Sequence, residues 1–229
     1  YEPSTRTRFS FETAMIRLGG QVISAESAAH FSSATKGETL KDTIKIVSGY
    51  VDTIVLRHPE IGAAKAASEV SLVPIINAGD GTGEHPSQAL LDLYTIKNEL
   101  GRIGNLKIAL VGDLLYGRTI HSLIPLMGIL NDIELFLVSP LALKIPDEYR
   151  KILECKQIHF KESDNLDSIL AEIDVLYMTR IQQERFPDEA EYERYKGVYQ
   201  LNKAILKGVK KNLIIMHPLP RVNEIHPDV

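Results

Sequence analysis

Leu106-Lys-Ile-Ala-Leu-Val111-Gly-Asp-Leu-Leu-Tyr-Gly117-Arg118-Thr-Ile-His121 is the stretch from which the fold can be read. Its first six residues are mostly apolar and predict a strand over 106–111. Gly112 and Gly117 then bracket a turn. From His121 to Leu130, the apolar Leu123, Leu126, Met127 and Leu130 recur at helical spacing. Strand, tight turn and helix in that order make up most of a β-α-β unit.

The same alternation recurs along the chain. Further strands are expected at Gln21–Ala25, Thr53–Leu56, Val73–Asn77, Ile133–Val138, Gln157–Phe160, Val175–Thr179 and Leu213–Met216, and a helix at Thr39–Tyr50 with Leu40, Ile44 and Val47 on one face. This predicts an α/β fold of two domains, each a parallel sheet with helices on both faces, and a substrate cleft between them. The division is expected around a helix that starts with Pro in its first turn: residues 1–86, a linking helix at 87–101, and residues 102–229. The acidic, Tyr-rich stretch Gln182–Lys196 reads as a long loop or lid.

Composition narrows the function classes. The 229 residues are 44% hydrophobic and 24% charged, a globular balance that excludes extended disorder. A net charge of −4 offers no basic stripe, so a general nucleic-acid binder is not expected. No apolar run approaches the ~18 residues that would span a bilayer, so no membrane span is expected. Cys155 is the only cysteine, which leaves no disulfide framework and fits a reducing compartment, expected to be the cytoplasm, or an organelle if a targeting segment was lost. The chain opens at Tyr1 inside a dense polar motif, and the expectation is that both natural termini extend further.

That opening motif is Pro3-Ser-Thr-Arg-Thr-Arg8, followed by Phe11, Ala14, Met15 and Leu18 at helical spacing. Hydroxyls and guanidiniums at a helix start form an anion site, because the first backbone N–H groups are unpaired and the dipole is positive there. A simple cap would explain any one of these residues, but not hydroxyls and arginines alternating over five positions. Arg6 is preferred to Arg8, since one of the two is expected to pair with a nearby carboxylate.

Four other places could carry chemistry. Asn77-Ala-Gly-Asp-Gly-Thr-Gly-Glu-His85-Pro-Ser-Gln88 lacks the glycine spacing of a dinucleotide loop. It reads either as a plain turn or as a loop delivering His85 and Gln88 to a helix start. Arg57 follows a strand, where it is either an oxyanion donor or an exposed end residue. Arg118 and Arg180 also sit at strand ends, suited either to the two carboxylates of a dicarboxylate or to surface ion pairs. His217-Pro-Leu-Pro-Arg221 is a rigid turn that would expose carbonyls, or else a loop corner. Phosphate-loop, metalloprotease-helix and nucleophile-elbow signatures are missing, and the seven histidines are scattered.

Taken together, the Ser4–Arg8 run, His85-Pro-Ser-Gln88 and His217-Pro-Leu-Pro-Arg221 resemble the catalytic chains of the aspartate transcarbamoylase family, in order and in spacing, over essentially the whole sequence. The resemblance implies carbamoyl transfer from carbamoyl phosphate to L-aspartate, an early step of pyrimidine biosynthesis, with no cofactor and no metal. Thr7, Arg57 and His85 would be catalytic. Ser4, Thr5, Arg6, Thr7, Arg57, His85, Gln88, Leu219 and Pro220 would bind carbamoyl phosphate. Lys36, Arg118, Arg180 and Gln182 would bind aspartate. Ser32 and Lys36 would come from a neighbouring subunit, implying a homotrimer with shared sites, with assembly onto regulatory chains left open. Glu2, Arg118 and Arg185 would serve domain closure.

Two rivals stand beside this. Ornithine transcarbamoylases resemble the phosphate half, but they carry Cys where this sequence has Pro218, and two arginines would repel the cationic ornithine side chain. A non-catalytic relative kept for assembly is the other, against which every motif residue is present. Ser87, where many relatives have Thr, is a small departure that keeps the hydroxyl.

Overall fold

The computed structural model describes residues 1–25, 36–181, 186 and 188–229, with Glu191 described by its backbone alone. The chain divides into two compact units, Tyr1–Ser87 and Gln88–Val229.

In the first unit, α1 (Thr5–Arg17) starts at Ser4, whose Oγ accepts the Thr7 N–H at 3.4 Å. α2 (Leu40–Val47) is capped by Thr39, which accepts the Asp42 N–H at 3.2 Å. Strands β1 (Ile54–His58) and β2 (Ile75–Asp80) pair in parallel, with α3 (Ala63–Ser68) as the crossover between them. Ile44 of α2, Ile54 and Leu56 of β1 and Ala67 of α3 form the core, packed by Leu40, Val47, Val51 and Val73. The Leu40, Ile44, Val47 stripe thus does what its spacing predicts.

The second unit contains most of α4 (Pro86–Leu100), then β3 (Leu106–Val111), α5 (Arg118–Met127), β4 (Ile133–Val138), α6 (Asp147–Cys155), β5 (His159–Ser163), β6 (Val175–Met178), α7 (Glu189–Tyr195) and β7 (Ile214–Met216). Its five strands are all parallel, in the order β5-β4-β3-β6-β7. Leu106, Ile108 and Leu110 pack on one face against Ala89 and Ile96 of α4 and Ile120, Leu123, Ile124 and Met127 of α5. Ala109 and Val111 face the other way, into a second cluster with Leu166, Ile169, Leu170, Ile173 and Leu176. Burial on both faces is why β3 and β4 are apolar apart from Lys107 and Glu134 near their starts.

Some elements differ from the sequence expectation. Residues 21–25 form no strand; all five side chains are exposed, and an exposed segment has no packing to reward pairing. The strand expected at Gln157–Phe160 begins at His159, because Gln157 takes a left-handed φ of 55° and its N–H closes α6 onto the Glu154 carbonyl. The stretch read as a loop or lid contains the short helix α7.

Candidate functional site

Arg57, at the carboxyl end of β1, gathers the polar groups of the first unit. Its Nη1 donates to the Ala78 carbonyl at 3.2 Å and to Thr7 Oγ1 at 3.5 Å, and lies 3.4 Å from His85 Nε2. Its Nη2 donates to Glu2 Oε1 at 2.5 Å. Thr7 is held in turn by Ser4, whose hydroxyl donates to Thr7 Oγ1 at 2.9 Å. Glu2, assigned by the resemblance to domain closure, is therefore engaged within its own unit. Ser4, Thr7, Arg57 and His85 come together at the start of α1, where unpaired backbone N–H groups favour an anion. Arg6 is exposed, whereas Arg8 pairs with Glu12 at 3.4 Å along α1.

The loop carrying His85 is pinned rather than supple. Asp80, 6% exposed, accepts the Gly62 N–H at 3.0 Å on one oxygen and the Glu84 N–H at 2.8 Å on the other. Gly81 has φ 53°, and a Cβ there would lie 2.5 Å from the Pro59 carbonyl oxygen, so no larger residue fits. His85 Nδ1 then meets Ser87 Oγ at 3.2 Å.

In the second unit the chain runs β3, β4, β5 outward and then returns to the other side of β3 for β6 and β7. The reversal falls between β3 and β6, and ligands of open α/β sheets sit at the carboxyl ends of the strands there. Arg118 opens α5 after β3, and Arg180 follows β6. Between them, Thr179 Oγ1 donates to the Val111 carbonyl at 2.9 Å and accepts the Asp113 N–H at 3.1 Å. Gly112 (φ 117°) permits this approach, since a Cβ would lie 2.4 Å from the Thr179 carbonyl oxygen.

After β7 comes the proline turn. His217 Nδ1 accepts the Leu219 N–H at 2.8 Å, and its Nε2 meets Glu224 Oε1 at 2.8 Å. Burial raises the Glu224 carboxyl, but His217 and neighbouring backbone N–H groups outweigh that and hold it below its ordinary range. Leu219 has φ 58°, and the Leu219–Pro220 peptide is cis. Both residues are exposed, as carbonyls that accept from a ligand would need to be.

Gln88 is half-buried on α4, where its Nε2 donates to Asp92 Oδ1 at 2.9 Å. The Tyr177 hydroxyl donates to Asp92 Oδ2 at 2.7 Å. Burial pushes the Asp92 carboxyl up to about 6 against these two hydrogen bonds, and pushes the Tyr177 hydroxyl well above its ordinary value.

Sequence reading overlooked Asp92, Tyr177, Thr179 and Asp113. One signal was available: Gln88 and Asp92 are four residues apart, a pairing distance on a helix. Thr5 and Lys36 are exposed. Ser32, Gln182 and Arg185 lie outside the described residues. Among those described, no group of three or more His, Cys, Asp or Glu side chains is placed to hold a metal ion, and no helix is long and apolar enough to cross a membrane.

Comparison with known proteins adds the following. Residues 1–98 match the family description "Aspartate/ornithine carbamoyltransferase, carbamoyl-P binding domain", and residues 104–229 match "Aspartate/ornithine carbamoyltransferase, Asp/Orn binding domain". The aspartate carbamoyltransferase catalytic subunit of Methanocaldococcus jannaschii is 57% identical over 229 residues, covering 100% of this chain and 74% of that protein. Chloroplastic aspartate carbamoyltransferase 2 of Pisum sativum is 51% identical over 230 residues, covering 100% of this chain and 60% of that one. The crystal structure of Trypanosoma cruzi aspartate transcarbamoylase with carbamoyl phosphate and aspartate superposes with a TM-score of 0.91 at 42% identity, over 100% of this chain and 74% of that one.

Proposed function

Because the chain belongs to the aspartate/ornithine carbamoyltransferase family, we propose that the residues around Arg57 and the strand-end arginines of the second unit carry its reaction. That reaction transfers the carbamoyl group of carbamoyl phosphate to the amine of L-aspartate, giving N-carbamoyl-L-aspartate and phosphate. The observation that supports the assignment is the convergence of Arg57 with Thr7 and His85.

The neutral α-amine attacks the carbamoyl carbon, and a tetrahedral oxyanion forms. Thr7, Arg57 and His85 donate to that developing charge, which in preorganised sites is the largest contribution to rate. The phosphate, held by Ser4, Thr5, Arg6, Thr7 and Arg57, leaves with the proton that the amine sheds. Gln88 and the Leu219 and Pro220 carbonyls receive the carbamoyl NH₂. Arg118, Arg180, Gln182 and Lys36 grip the two carboxylates of aspartate. Holding both anions in place turns a bimolecular encounter into an oriented one.

Ser32 and Lys36 are assigned to the site of a neighbouring subunit, so the working form in this proposal is a cytoplasmic homotrimer. The test is a side-by-side assay of phosphate release with aspartate, ornithine and N-acetylornithine. Aspartate as the sole efficient acceptor supports the reading, and turnover of ornithine at an equal rate overturns it. Sedimentation of the intact enzyme checks the trimer.

A further inference from the structure

Gln88 and Asp92 stand one turn apart on α4, and the amide nitrogen of Gln88 is committed to the carboxylate at 2.9 Å. Asp92 is 4% exposed, and its second oxygen takes the Tyr177 hydroxyl at 2.7 Å. An ionised carboxylate has acceptors and no donor, so both neighbours must point a hydrogen at it. For Gln88 this leaves Oε1 as the end that can meet a ligand, and that end can only accept. An Asn at 92 would offer an NH₂ as well as an oxygen, and the Gln88 amide could then sit either way round. A neutral residue would bury more cheaply than a carboxylate, so general stability does not explain the acid. A buried group with acceptors alone does explain it, if one amide orientation is what the site requires.

We propose that Asp92 is a positioning residue that locks the Gln88 amide with its oxygen toward the ligand, so that the site selects a carbamoyl NH₂ over a methyl group of the same size. The inference rests on the role given to Gln88 above. It also has a brace. Tyr177 reaches Asp92 from β6. Gln88, Asp92 and Tyr177 form one hydrogen-bonded chain between α4 and β6. Within such chains the loss of one member is felt by the others.

The test compares carbamoyl phosphate with acetyl phosphate, in which CH₃ replaces NH₂, as donors to aspartate in the intact enzyme. The readout is the ratio of the two kcat/KM values for wild type, Asp92→Asn, Tyr177→Phe and Gln88→Ala. Asp92→Asn is expected to lower the ratio about tenfold, by losing carbamoyl phosphate activity while acetyl phosphate activity holds, because a site that no longer fixes its acceptor stops rewarding the NH₂. Tyr177→Phe should lower it about threefold in the same sense. Equal losses with both donors in Asp92→Asn, while Gln88→Ala collapses the ratio, would overturn the role of Asp92 and leave that of Gln88 standing. An unchanged ratio in Gln88→Ala would overturn both. Should Asp92→Asn lack a native circular dichroism spectrum, Tyr177→Phe decides by the same criterion.

Discussion

Arg57 Nη1 and His85 Nε2 face each other at 3.4 Å. A guanidinium has no acceptor, so Nε2 receives and the imidazole proton lies on Nδ1, toward Ser87 Oγ 3.2 Å away. To donate to a carbonyl oxygen, the ring must carry its proton on Nε2 instead. The Ser87 hydroxyl accommodates both forms, because it can accept from Nδ1 or donate to it.

His85→Ala is accordingly expected to lower kcat by about 10²–10³ with little change in KM for either substrate, the signature of a donor used in the transition state. Steady-state kinetics on the intact enzyme measures this. A variant within twofold of wild type would remove His85 from the mechanism.

Arg6 and Arg8 should behave differently although they are two residues apart. Arg8 is tied to Glu12 in a half-buried pair one helical turn apart. Arg6 has its guanidinium exposed at the helix start. Arg6→Ala is expected to raise KM for carbamoyl phosphate more than about tenfold, as loss of one charge-assisted phosphate contact does, and Arg8→Ala less than about threefold. Equal losses would show that the phosphate is held elsewhere.

Asp92 should leave a mark on stability as a function of pH. Its folded carboxyl titrates near 6 because burial disfavours the charge, while an unfolded one titrates near 3.8. The folded state therefore holds the proton more tightly. The contribution is fully present below pH ~4, is lost as pH rises through ~6, and amounts to on the order of 3 kcal/mol. The groups facing it, Gln88 on its own helix and Tyr177 on β6, are uncharged at these pH values. Urea unfolding of wild type and Asp92→Asn between pH 4 and 7 should show the variant gaining relative stability as pH rises. A difference independent of pH would contradict the assignment.

Gly112→Ala should destabilise the second unit by roughly 2–4 kcal/mol, combining a left-handed backbone with a methyl group forced onto the Thr179 carbonyl. Thermal unfolding checks it. Gly101→Ala is the control, as its φ is also positive at 68° but nothing lies within 4 Å of the added Cβ.

How much of this was legible in the sequence follows from where each residue is buried. Leu106–Val111 and Ile133–Val138 were readable to the residue, because strands covered on both faces are apolar at every position but one, Lys107 and Glu134 near their starts. Val22 and Ile23 gave the same short signal at 21–25, yet both are exposed, and composition alone does not say whether a partner strand exists. The family resemblance found the residues expected to touch substrate. It did not reach Asp92, Tyr177 or Thr179, since a polar side chain behind the site shows its purpose only when strands distant in sequence are set side by side. Tyr177 lies eighty-five positions from Asp92, and no local pattern joins them.

The strand order β5-β4-β3-β6-β7 hangs Arg118, Arg180 and the 217–221 turn from the ends of three adjacent strands, each on its own connection. Framework and chemistry are thereby inherited separately. A loop can lengthen, shorten or exchange its side chain without disturbing the buried ladder beneath it. Acceptor preference can drift over descent while the scaffold stays recognisable, as a single family description spanning aspartate and ornithine enzymes records.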